Sequence, residues 1–329
     1  MPHLTMTFDL RHPLQFPTTG RELYAAALDI IGWGEEHGFR RVAIGEHHQS
    51  PDGYLPAPLG FACAVGGRTR RIKVQVSVLL APLYHPVRLA EEIAVADLCL
   101  DGRLEPAIAA GYVEDDFEVF GADYSARGRT MEELVPFLRQ AFTGEPFEWR
   151  GRTVRVTPKP AQDPMRIFMG GSRRPAIERA VRLADGYITG GDAESWDIFR
   201  EVSLSLGKPD PGEYPTTGPM FLWVTTERKD KVLERLAPHI AHQTASYGAW
   251  TRDAFGTEEG PYAGPSTDDP LSGRGNYQIL DPEEAIELAG RLGRRGWLMF
   301  NPLMAGIAPE EAWTMLHTLE ERVFPYLDT

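Results

Sequence analysis

The stretch Ile72–Gly111, IKVQVSVLLAPLYHPVRLAEEIAVADLCLDGRLEPAIAAG, decides the fold. Ile72 to Leu80 is β-branched, apolar and sharply bounded, so it reads as a buried strand. Val87 to Cys99 carries helical spacing. Leu104 to Ala109 is apolar again and ends in Ala110-Gly111. Strand, helix, strand in that order implies a crossover between parallel strands. The same unit recurs on both sides. Upstream, strands are expected at Leu4–Leu10 and Arg41–Gly45, and helices at Arg21–His37 and Pro58–Thr69. Downstream, strands are expected at Arg166–Met169, Gly186–Thr189, Pro219–Thr225 and Trp297–Phe300. The helices between and after them are Arg174–Ala184, Ser195–Leu206, Lys229–Ser246, one opened by Asp281-Pro282-Glu283-Glu284, and Pro309–Val323. Thr130-Met-Glu-Glu133 has the form of a capping box opening a helix to about Phe142.

Eight such units in 329 residues favour a closed (β/α)8 barrel over a doubly wound sheet. The first strand lacks a Gly-x-Gly-x-x-Gly turn, and no P-loop occurs. Two segments exceed ordinary connections: a hairpin at Phe147–Val156 turning at Gly151, and the Gly-, Pro- and Asp-rich Gly248–Leu280. They are expected as insertions at the C-terminal mouth of the barrel. No repeat or linker divides the chain, so residues 1–329 read as one domain. Hydrophobic content is 42% and charged content 25%, as in a globular protein with a core. A formal net charge of −13 argues against nucleic acid and anionic membrane as partners. Cys63 and Cys99 have no metal or redox spacing and read as small buried thiols. With no signal peptide and no membrane-length apolar run, a cytoplasmic location is expected.

A barrel puts its chemistry where strands end. Gly45–Pro56, GEHHQSPDGYLP, falls there with Glu46, His47 and His48. Adjacent residues on an extended chain face opposite ways, which argues against the two histidines chelating a metal. A mouth-facing histidine suits acid/base work or hydrogen bonding to a ring; a strand-end histidine satisfied by a loop carbonyl is the plain alternative. Met169–Ala180, MGGSRRPAIERA, joins a strand end at Gly170-Gly171 to a helix, with Ser172 placed to cap it and Arg173 and Arg174 beside it. Exposed amides, a hydroxyl and positive charge make an anion site, and a phosphorylated cofactor is the expected occupant. Thr189-Gly190, with Asp192 as a cap, either adds backbone to the same phosphate or forms only a turn. The acids of Val113–Arg129 read mostly as a solvated rim. Tyr54, Tyr112 and the segment after Ala245 are the expected substrate walls.

Taken in order, GFRRVAIGEHHQSPDGYLPAP, RTRRIKVQVSVLLAPLYHPVRLAEEIAVADLCLDGRLE, AAGYVEDDFEVFGADYSARGR and IFMGGSRRPAIERAVRLADGYIT resemble the bacterial luciferase-like family of flavin- and deazaflavin-dependent oxidoreductases. The resemblance covers roughly Gly38 to Gly191 and returns weakly at FNPLMAGIAPEEAWTMLHTLEERVFPYL. It implies a TIM barrel. It implies that His47 faces the flavin ring and assists proton transfer, with Glu46 as the acid beside it. It implies a non-proline cis peptide at Ser77-Val78, a phosphate contact from Ser172, and an acid near the flavin at Asp116. Ala110 and Gly111 fall on the strand end that meets the cofactor. Many members that use flavin mononucleotide (FMN) carry an arginine where Ala110 stands, and luciferases carry a reactive cysteine where Ala109 stands. The light-emitting reaction is therefore not expected. A small residue at Ala110 resembles members using the 8-hydroxy-5-deazaflavin coenzyme (coenzyme F-420). The expected activity is hydride transfer between that coenzyme, or FMN, and a small organic substrate. The alternative is an FMN-dependent two-component monooxygenase supplied by a flavin reductase. A homodimer is permitted.

Overall fold

The computed structural model describes residues 1–189, 193–214, 217–256 and 276–327. Its strands are β1 (His3–Phe8), β2 (Phe39–Ile44), β3 (Lys73–Leu80), β4 (Leu104–Ala109), β5 (Phe147–Trp149), β6 (Arg152–Val154), β7 (Phe168–Gly170), β8 (Gly186–Ile188), β9 (Phe221–Val224), β10 (Tyr277–Leu280) and β11 (Trp297–Phe300). Its helices are α1 (Gly20–Glu36), α2 (Pro58–Arg68), α3 (Pro86–Cys99), α4 (Glu114–Phe120), α5 (Arg127–Ala141), α6 (Arg174–Leu183), α7 (Ala193–Ser205), α8 (Lys229–Phe255), α9 (Pro282–Leu292) and α10 (Pro309–Arg322).

Seven strands form one sheet in the order β11-β1-β2-β3-β4-β7-β8, while β9 and β10 form a second and β5 and β6 a hairpin. The β1–β11, β3–β4, β4–β7, β7–β8 and β9–β10 pairings are all parallel. The expected eight-stranded barrel is thus represented by a seven-stranded sheet and a separate parallel pair. The unexpected strand is β10. It lay hidden at the end of a Gly-, Pro- and Asp-rich stretch that reads as a loop.

The chain divides into two compact units. The first comprises Met1–Ala43, Gln49–Leu55 and Pro215–Thr329. Here α1 begins with a capping box between Thr19 and Glu22 and buries Leu23, Ala27, Ile30, Ile31 and Gly34. Burying each large aliphatic side chain contributes about 1.5–3 kcal/mol. Gly34 is the close approach: a Cβ there would lie 2.7 Å from Met6 Cε of β1. The helix α8 runs past Ser246, where its pattern was expected to end, because Tyr247 and Thr251 continue its buried face. It stops at Gly256, with φ +69°.

The second unit comprises Ile44–His48 and Pro56–Tyr214. Its α2 and α3 pack closely, since a Cβ on Gly66 would fall 2.3 Å from the Cys99 carbonyl oxygen. The cysteines are not two buried thiols: Cys63 is half-buried and Cys99 exposed. Burial, and then Cys99 beside it, pushes the Cys63 thiol up to about 11. The Thr130 capping box does not form. The helix α5 already begins at Arg127, and the Thr130 hydroxyl donates back to the Ala126 carbonyl. The turn before it is capped by Asp123, which accepts from the Ser125 and Ala126 amides. The helix α4 was unforeseen; its acids Glu114, Asp115 and Asp116 sit at its positive end.

Candidate active site

In the second unit the strand ends bring most of the expected residues into one region. The cis peptide at Ser77-Val78 is present. It coincides with a register shift in the β3–β4 ladder between Ser77 and Leu79. Next to it, Gly170 at the end of β7 has no room for a side chain: an added Cβ would lie 2.8 Å from Val78 Cγ1 and 3.9 Å from Ala109 Cβ. Gly111, just beyond β4, has φ +77°, and a Cβ there would press on Phe117. Ala110 is half-buried between them. The ends of β3, β4 and β7 therefore meet through small residues.

Glu46 is buried and its carboxylate is fully engaged. It accepts from the Leu80 amide at 2.7 Å, from the Tyr84 hydroxyl at 2.5 Å, and pairs with His48 Nε2 at 3.0 Å. Burial, and then the Glu46 charge, raises the Tyr84 phenol well above its ordinary value, so it stays protonated and donates. Glu46 thus ties the chain after β2 to the end of β3 and acts as a positioning residue. The ring of His48 also packs against Phe120. His47 is 8% exposed and meets Tyr112 edge-on, with ring centroids 6.1 Å apart. Tyr112 is itself held by the Tyr124 hydroxyl, which donates to its carbonyl. Asp116, which the resemblance implies near the flavin, is buried in the first turn of α4, unlike the solvated rim expected of most acids in this segment.

The turn between β7 and α6 differs in detail from expectation. Ser172 does not cap α6; Arg173 is the N-cap and makes no side-chain capping bond, with Pro175 in the first turn of the helix. Ser172 and Arg173 are both exposed beside the helix start. Gly171 takes φ +146°, and its carbonyl accepts from the Tyr187 hydroxyl of β8. Arg174 pairs with Glu201 at 2.8 Å, and Arg173 stands beside the turn. The cap position of α6, its dipole and Arg173 suit an anion. Thr189 follows β8 directly. Gly190 and Asp192 lie outside the described residues.

Sequence reading missed Tyr84, whose sequence neighbourhood, LYHP, looked like plain loop. It also missed a cluster in the first unit around Arg11, Asp9 and Asp52. The signal was there in FDLRHP: opposite charges directly after an apolar strand, the same pattern that singled out Glu46.

The luciferase-like monooxygenase family model matches residues 6–295. The chain belongs to that family. Among relatives, an F420-dependent glucose-6-phosphate dehydrogenase of Nakamurella multipartita is 33% identical over 172 residues, 49% of this chain and 50% of that protein. The oxygenase component of a flavin-dependent trigonelline monooxygenase of Acinetobacter baylyi is 26% identical over 153 residues, 44% of this chain and 42% of that protein. The chain thus spans about half the length of these curated relatives. The family fold extends over the whole chain: the crystal structure of the monooxygenase RslO1 from Streptomyces bottropensis aligns with a TM-score of 0.76 at 18% identity, over 99% of this chain and 100% of that one. No helix among the described residues is long and apolar enough to cross a membrane.

Proposed function

We propose that this protein is a flavin- or deazaflavin-dependent oxidoreductase that moves a hydride between its coenzyme and a small organic substrate. The observation that carries the reading is His47: a shielded histidine at a strand end, beside a carboxylate whose every contact is positional. The coenzyme, when bound, supplies the hydride chemistry. The chain supplies placement. Glu46 fixes the strand ends, His47 holds or delivers a proton near the reacting centre, and Tyr112 limits water around it. Ser77, Val78, Ala110, Gly111 and Gly170 form the surface that receives the ring, and their small size suits a flat molecule. Gly171, Ser172, Arg173 and Thr189 hold the phosphate. Tyr54 and the aromatic residues of α8 form the substrate wall.

The deazaflavin coenzyme F-420 is favoured over FMN because Ala110 offers no cation to a phosphate. The second reading is an FMN-dependent monooxygenase supplied by a partner reductase; the similarity to the trigonelline enzyme's oxygenase component supports it. In either case the chain acts as one cytoplasmic TIM-barrel domain and pairs as a homodimer.

Titrating the purified protein with FMN and with the deazaflavin coenzyme, side by side and by fluorescence, tests the proposal. Tight binding of the deazaflavin alone makes it a hydride-transfer enzyme. Tight binding of FMN alone favours the monooxygenase, with Arg173 holding the phosphate. Binding of neither sinks both. His47→Ala should reduce turnover by about 10²–10⁴-fold while leaving coenzyme affinity within a few-fold. Unchanged turnover would remove His47 from the mechanism.

A further inference from the structure

At the end of β1, Arg11 is fully buried in the first unit. Its Nε lies 2.8 Å from Asp52 Oδ2, and its Nη1 donates to Gln243 Oε1 at 3.0 Å. Its Nη2 has no hydrogen-bond acceptor among the described residues. A buried guanidinium nitrogen without an acceptor is uncommon and costly, and calls for a partner. Three aromatic rings surround it: the guanidinium carbon is 5.2 Å from the Tyr54 centroid, 5.7 Å from Tyr247 and 5.2 Å from Trp250. The rings pack edge-on against one another, and the Tyr54 and Tyr247 hydroxyls share a hydrogen bond at 3.0 Å. Gln243, Tyr247 and Trp250 stand four and three residues apart on α8, hence on one face. Tyr54 and Tyr247 are buried, and Trp250 is half-buried at the edge of the cluster.

We infer that this cluster recognises the substrate: Arg11 Nη2 donates to a neutral oxygen acceptor, of the carbonyl class, on a ring-bearing organic molecule that packs against Trp250. The acceptor is neutral because the charge of Arg11 is already matched. Burial pushes the Asp52 carboxyl up, but the His242 hydrogen bond, the Arg11 charge and the Ser50 hydroxyl outweigh it, so Asp52 is ionised. Asp9 also faces Arg11, through the Arg11 amide at 3.1 Å. A second full anion here would be buried against Asp52. A carbonyl adds a charge-assisted hydrogen bond and no net charge. Calling the ligand a substrate rests on the oxidoreductase reading; the binding itself does not.

The test uses acetophenone and ethylbenzene as probes, alike in ring and size and differing in the carbonyl. Ligand-observed NMR titration of the full chain should show the ketone binding about tenfold more tightly than the hydrocarbon, the difference expected of one hydrogen bond to a charged donor. Arg11→Lys keeps the charge for Asp52 but loses Nη2; it should abolish the preference while hydrocarbon binding persists. Trp250→Ala should weaken both probes together. Equal binding of the two probes by the unaltered protein overturns the inference, as does a preference that survives Arg11→Lys. Coenzyme affinity is measured on the same samples. Loss of the ketone preference with a coenzyme bound sinks this inference alone, and failure of both coenzymes sinks the oxidoreductase reading alone.

Discussion

Glu46 shows how one side chain can be legible in identity and hidden in role. An acid beside two histidines at a strand end suggested chemistry. Its contacts suggest architecture: Leu80 amide, Tyr84 hydroxyl and His48 ring all converge on it. Glu46→Gln replaces one acceptor oxygen by a donor, so either Leu80 or Tyr84 loses its partner. The expected cost is about 1–3 kcal/mol, read as a lowered denaturation midpoint. Tyr84→Phe in the same chain should recover part of it, because the opposed donor is gone. If the two substitutions simply add, Glu46 and Tyr84 are not coupled as described. Ser172 and Asp116 teach the same lesson in reverse. Their types were noticed, yet cap position and burial depend on neighbours that a motif does not contain.

At the scale of elements, local chemistry and tertiary context can be compared directly. Asp281 at the start of α9 has a complete capping box with Glu284, as its sequence suggested. Asp281→Ala should cost about 1 kcal/mol of stability. The equally plausible Thr130 motif lies inside α5, so Thr130→Ala should be close to neutral. Chemical denaturation of both variants checks the contrast, and a Thr130 loss as large as that of Asp281 would contradict it. What separated the two motifs was invisible locally: Asp123 had already turned the chain and started the helix one turn earlier. Length mattered as well. Long amphipathic helices such as α1 could be read almost to the residue, whereas β10 sits at the end of a stretch whose Gly, Pro and Asp content reads as loop, and α8 was cut short because Gly248 resembles a stop.

At the scale of the whole molecule, pH is the instrument. Asp52 has a folded pKa held below its ordinary 3.8 by His242, Arg11 and Ser50 acting against its burial. A depressed acid adds stability above its unfolded pKa and loses it as pH falls toward the folded value. Asp52→Asn should therefore destabilise the protein by about 3–5 kcal/mol near neutrality, since it leaves Arg11 buried without its counter-charge. The gap between variant and parent should narrow below about pH 4. Asp9 has the opposite sign: burial raises its pKa, so its contribution is greatest when protonated and falls as pH rises. Melting curves from pH 3 to 7 separate the two, and a constant gap for Asp52→Asn would show that its charge is not the stabilising feature.

The sequence by itself determined the alternation of strands and helices, the parallel class and the family. These follow from hydrophobic periodicity and from residues whose order along the chain is the signal. Only the tertiary structure decided that Glu46 is an anchor, that Arg173 rather than Ser172 is the N-cap of α6, that Asp116 is buried, and that Arg11 gathers three aromatic rings from segments about forty and more than two hundred residues distant from it. Burial and partnership depend on which distant segments meet, and no local pattern encodes that meeting.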